Sequence, residues 1–205
     1  MKQTIAAVLL WMAWVLPAGG AMPTAAQTAA VAGHAAQQNG AWDAQREKRA
    51  QEIFLQLAQK LIVSATEAMP ADKYGFAPSE GEFKGVRTFG QQVKHLAATN
   101  YILAAAALNE EAPADAGDEV GPEAVRTKAE ILAYLNDSFA HLGRAIAAIG
   151  DQSIAVKTSP ISPLPAKAVT RLALIDEALI HAFDHYGQMV EYLRMNGVVP
   201  PGSRP

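Results

Sequence analysis

Apolar side chains return every seven residues between Pro122 and Gly150. Val125, Leu132, Phe139 and Ile146 form one set, and Leu135, Leu142 and Ile149 form a second. A strand would repeat every two residues, so this frame requires a helix whose apolar stripe packs against other helices. The helix is expected to start near Pro122, where a missing N–H costs nothing, and to stop at Gly150-Asp151.

Three further segments carry the helical period. From Trp42 onward Phe54, Leu57, Leu61 and Ala65 fall at spacings of three and four, with charged residues between them, until Pro70. Thr88-x-x-Gln91 reads as a capping box opening a second helix, whose stripe is Phe89, Val93, Leu96, Asn100, Leu103 and Ala107. A last helix is expected over residues 166–196, ended by Gly197 with Pro200-Pro201 beyond it. Residues 109–121 are acidic and rich in helix breakers, and residues 153–165 hold three prolines and read as an extended crossing. No period-two pattern and no internal repeat competes. The expectation is an all-α four-helix bundle with long connections over residues 42–205.

Composition enters by exclusion. The chain of 205 residues has no cysteine, which removes disulfides, thiolate metal sites, Fe–S clusters and cysteine lipidation. A formal charge of −3 carries no basic excess, so no nucleic-acid partner is expected. Hydrophobic residues make up 50% and charged residues 18%, too apolar for a disordered chain. The N-terminus reads as a secretory signal over residues 1–26. Lys2 precedes an apolar run at 5–16 closed by Pro17, and small residues allow cleavage after Ala21 or Ala26. The run is too short to span a hydrocarbon core comfortably, so a secreted or periplasmic protein without membrane attachment is expected. Residues 27–41, rich in Ala, Gln and Gly, read as a flexible linker.

Candidate chemistry rests on histidine. His181 and His185 lie four apart on the last helix, with Cβ atoms about 5–6 Å apart, a spacing from which two imidazoles can hold one ion. Glu177, Asp184, Gln188 and Tyr192 continue the same polar face between apolar neighbours, which is costly to bury without partners. His95 adjoins the core stripe of the second helix. Each of the three could also be a hydrogen-bonded core histidine. His34 has no assigned role, and His141 reads as surface or hydrogen-bonded core. There is no His-Glu-x-x-His, no Glu-x-x-His, no Gly-x-Ser-x-Gly and no phosphate loop. The sequon Asn136-Asp137-Ser138 falls within a helix.

Three motifs together resemble the DinB-like superfamily. They are Lys73-Tyr74-Gly75-Phe76-Ala77-Pro78, then Arg87-Thr88-Phe89-Gly90 running to His95, and His181-x-x-x-His185-Tyr186-Gly187-Gln188-x-x-x-Tyr192-Leu193-Arg194-x-Asn196-Gly197. The resemblance covers roughly residues 42–201. It implies a four-helix bundle holding a divalent metal, zinc or nickel, on three histidines that map to His95, His181 and His185. Gln188 matches a family position expected to support the ligands, and Tyr192 is grouped with it. Where many relatives have Arg after the second last-helix ligand, this chain has Tyr186. Some members are thiol-dependent transferases, others are hydrolases by name only, many have no known activity, and members often form homodimers.

A three-histidine metal keeps a coordination position for water or substrate, the pattern of a catalytic site. A metal-dependent hydrolase acting on a small molecule is therefore the leading expectation. Glu177 or Asp184 would act as base, or would accept a ligand N–H. A non-catalytic metal-binding bundle and a thiol-dependent transferase are the alternatives, and an oxidising compartment weighs against the transferase.

Overall fold

The computed structural model describes residues 24–116, 119–150, 161–164 and 169–204. The chain divides into two units, Met1–Gln38 and Asn39–Pro205. Residues 1–23 of the expected leader lie outside the described residues. Four α-helices are present: α1 (Ala25–Ala68), α2 (Phe89–Leu108), α3 (Lys128–Ala147) and α4 (Arg171–Met195). Among the described residues there is no β-strand, and no helix is long and apolar enough to cross a membrane. The all-α four-helix bundle expected from the apolar periods is the observed architecture.

Two boundaries differ from expectation at the start of a helix, and one local device explains both. Thr127 and Thr170 are extended residues whose hydroxyls accept the N–H groups of Glu130 and Ala173. These caps start α3 six residues after Pro122, and start α4 at Arg171 rather than Ala166. Thr88 and Gln91 form the anticipated capping box. Residues 27–41, expected to be a linker, lie within α1. Alanine is the best helix former and glutamine is a good one, so the composition read as flexible also favours a helix.

The α1 stripe is also corrected. Phe54 and Leu57 are 51% and 43% exposed, whereas Ala58, Ile62, Ala65 and Met69 are fully buried. Of the expected stripe Ala65 is fully buried and Leu61 half-buried, and the core otherwise takes the adjoining line of Ala58, Ile62 and Met69. On α2, Phe89, Val93, Leu96, Asn100, Leu103 and Ala107 are all buried as expected, and on α3 so are Leu135, Phe139, Leu142 and Ile146.

Contacts at the helix ends define an up–down–down–up bundle. The Lys128 ammonium, at the first position of α3, donates to the Glu67 and Met69 carbonyls at the end of α1 (2.6 and 2.8 Å). Arg171, first in α4, donates to the Ala107 carbonyl ending α2 (2.7 Å) and to Ala148 just past α3 (2.5 Å). Each cation stands against the unpaired carbonyls and partial negative charge of a neighbouring helix. α2 and α3 run parallel, joined mid-helix where the buried Asn100 amide donates to Ser138 Oγ.

The aromatic loop before α2 is fastened to it. The N–H groups of Phe89 and Gly90 donate to the carbonyls of Phe76 and Tyr74, so the loop satisfies donors that the helix start leaves free. A Cβ at Gly90 would lie 3.3 Å from the Tyr74 carbonyl oxygen, which is why this contact suits glycine. The Tyr74 hydroxyl donates to the Thr66 carbonyl on α1 (2.7 Å), and Phe76 meets the Tyr192 ring edge-on. The first two motifs thus form one structural clamp that sets where α2 begins, and hence the depth of His95 in the bundle.

Candidate metal centre

α2 and α4 run antiparallel through the core and bring His95, His181 and His185 together. The Nε2 atoms of His181 and His95 are 3.1 Å apart, and those of His185 and His181 are 3.0 Å apart. One ligand atom from each of the three lies within 4.8 Å of the others. His95 and His185 are almost fully buried, and His181 is half-buried.

The backbone sets the protonation of His95. Its Nδ1 lies 2.8 Å from the Glu119 carbonyl, an acceptor only, so the ring proton is on Nδ1 and Nε2 offers a lone pair. Glu119 holds this carbonyl in place with a left-handed backbone (φ 61°), uncommon for a residue other than glycine. On the opposite helix His185 Nδ1 lies 3.1 Å from the Gln92 amide, which also donates to Gln188 Oε1 (3.0 Å). In this orientation the amide donates to Nδ1 and leaves the His185 proton on Nε2, and Nε2 is freed only if the Gln92 and Gln188 amides turn together. The Nδ1 of His181 is buried with no hydrogen-bond partner.

Burial works against a charge on all three rings. It pushes His181 down to about 3, with the neighbouring His185 and His95 and the Arg87 guanidinium acting in the same direction. His185 falls to about 4, mainly through burial and His95, with the Asp184 carboxylate opposing. His95 is also lowered by burial, partly offset by its bond to the Glu119 carbonyl. At neutral pH the cluster is therefore three neutral imidazoles, the form that binds metal. Converging nitrogen lone pairs at about 3 Å repel one another unless a proton or cation lies between them. The donor set fits a divalent metal held by three neutral nitrogens.

The cluster opens on one side into a cleft of about 570 Å³ between α2, α4 and the crossing at 161–164. His181 is in its wall, as are both carboxylates expected from the sequence. Glu177 accepts from the Ser162 hydroxyl (2.7 Å), and the exposed Asp184 accepts from the Gln188 amide (2.8 Å). Two wall carboxylates, Glu119 and Asp176, were not anticipated. Asp176 accepts from Gln51 (2.7 Å), and its carboxyl is raised by burial, with that bond opposing. Gln188 is tied to Gln92 and Asp184, so it braces the amide that faces His185. The Tyr192 hydroxyl donates to the Arg87 carbonyl instead of a histidine. Tyr186 packs toward the C-terminal turn, where its hydroxyl would lie 2.8 Å from a Cβ at Gly202. His141 is half-buried beside Arg144 and Glu110, remote from the cluster in sequence and in its contacts.

Gln92 was legible in principle. It lies three residues before His95, a polar side chain one turn along the same buried face. Nothing local marked Glu119, because its role is played by a backbone carbonyl in an irregular loop.

The family model of the DinB superfamily matches residues 55–189. The chain belongs to this superfamily of metal-binding bundles. No curated protein matches it.

Proposed function

We propose that this protein is a metal-dependent hydrolase with zinc or nickel held by His95, His181 and His185. The observation that carries the reading is the convergence of three neutral imidazoles at the wall of a cleft large enough for a small molecule. A bound metal of this kind supplies a Lewis acid and lowers the pKa of a coordinated water toward 7. The Glu119 carbonyl keeps His95 oriented, and Gln92, with its amide turned, would do the same for His185. Asp184 stands one turn from His181 with only Oδ2 engaged by Gln188, and Oδ1 would accept the proton released in the reaction. Asn at this position should slow turnover without loss of metal. The leader pattern supports a further part of the proposal, action outside the cytoplasm.

The test begins with metal content per chain by elemental mass spectrometry on untagged protein, beside a His95→Ala/His181→Ala/His185→Ala variant. Near-stoichiometric zinc or nickel, absent from the variant, is expected. Hydrolysis in a panel of esters and amides should disappear with the metal. Turnover that survives metal removal would overturn the hydrolase reading. Tight metal with no exchangeable water and no turnover would point instead to a non-catalytic binding bundle.

A further inference from the structure

The walls of the cleft over His181 carry an uneven set of charges. Leu103, Leu164 and Ile180 give it an apolar lining, and Glu119, Asp176, Glu177 and Asp184 supply four carboxylates. No arginine or lysine is among the described lining residues. Arg49, Lys73, Arg126, Arg144 and Arg194 are paired with other carboxylates. Asp176 and Glu177 are each held by a neutral donor, Gln51 and Ser162, so the charge is positioned without being compensated. Arg87 and Lys94 line a separate cleft of about 400 Å³, from which the Arg87 guanidinium acts on the histidines but not on the Asp176–Glu177 end.

A second observation points to a ligand independently of these charges. Thr99, in the wall of the same cleft, is only 4% exposed and its hydroxyl oxygen has no hydrogen-bond partner. The buried Nδ1 of His181 is likewise unpartnered. Buried polar atoms without partners cost free energy that a bound molecule with polar groups would recover.

We propose that this cleft takes an organic cation, a molecule with an apolar body and an ammonium group. The inference rests on the hydrolase reading and gives its substrate a chemical class. The ammonium lies against Asp176 and Glu177, the hydrocarbon along Leu103 and Leu164, and the group to be hydrolysed at His181. Four or five residues of helix separate the two carboxylates from His181, a rise of about 6–7.5 Å. That separation sets the length between ammonium and scissile bond. An anionic molecule of the same shape meets four carboxylates and a neutral one gains only the apolar walls. The same pattern works against low-molecular-weight thiols that carry carboxylates of their own.

Octylammonium, octanol and octanoate, titrated calorimetrically into the zinc-loaded full chain at neutral pH, separate these cases. Octylammonium should bind about tenfold more tightly than octanol, with octanoate weakest, and added salt should narrow the gap. The double substitution Asp176→Asn/Glu177→Gln should erase the advantage of the cation. Ile180→Lys, at a rim position 70% exposed and so compatible with folding, should reverse the order of octylammonium and octanoate. Octanoate binding as tightly as octylammonium, an advantage that survives Asp176→Asn/Glu177→Gln, or no binding by any of the three would overturn the proposal. The same titration on His181→Ala keeps the two readings apart. A cation preference that persists there upholds the ligand class without metal, and the metal reading fails alone if the wild type shows the preference yet takes up no metal. Metal uptake and hydrolysis without a cation preference do the reverse.

Discussion

At His95 a main-chain carbonyl decides which nitrogen is free, and at His185 a side-chain amide that can turn stands against Nδ1. Gln92 is therefore the more informative residue to change. Gln92→Leu keeps the volume but removes the partner of His185 Nδ1, and zinc affinity should fall about 10–100-fold. Competition with a chromophoric chelator would measure this, with circular dichroism checking that the bundle persists. An unchanged affinity would mean that His185 is oriented by packing alone. The three clustered histidines were legible because two share a helical spacing and the third adjoins a core stripe. The carbonyl of Glu119 was not, since a backbone group leaves no trace in residue identity.

α2, α3 and α4 begin on threonine, and α1, α2 and α3 end on cations borrowed from neighbouring helices. Thr88, Thr127 and Thr170 each accept a backbone N–H, and replacing Thr127 with Ala should cost about 1 kcal/mol in urea unfolding. Arg171 serves two helix ends at once from a half-buried position, so Arg171→Met should cost more, about 2 kcal/mol. Equal losses for the two substitutions would mean that water replaces the guanidinium at those carbonyls. A cation opening a helix opposes the local dipole rule, and the sequence alone reads it as unfavourable. Its reason is tertiary, at the ends of α1, α2 and α3. The misread stripe of α1 has a related cause. Phe54 and Leu57 look like core by size, yet the side chains the core covers are Ala58, Ile62 and Ala65. Periodicity reports that a face is apolar, but not which of two such faces is covered.

For the whole molecule, three buried neutral histidines tie stability to pH. Each has a folded pKa below its unfolded value, so the unfolded chain binds more protons between the two. Without metal, stability should be fullest above about pH 6.5 and fall as pH drops toward 4, by up to about 1.4 kcal/mol per pH unit for each histidine. Urea unfolding at a series of pH values would test this, and the triple alanine variant should lack that part of the slope. Bound metal should raise the melting temperature at neutral pH, with about 2.7 kcal/mol gained when free metal is a hundred times Kd. Protons compete for the same nitrogens, so this gain should vanish below about pH 5.

The placement of the ligands carries one more consequence. His95 and His181 are 86 positions apart along the chain, on helices joined only through long connections and the whole of α3. An ion shared between them is a cross-link, and it closes a very long loop in a protein with no cysteine to make a disulfide. Cross-links that enclose long loops restrict the unfolded chain most. Chelation should therefore loosen the register of α2 against α4 first, and amide hydrogen exchange should rise there before the clamp of Tyr74 on α1 opens.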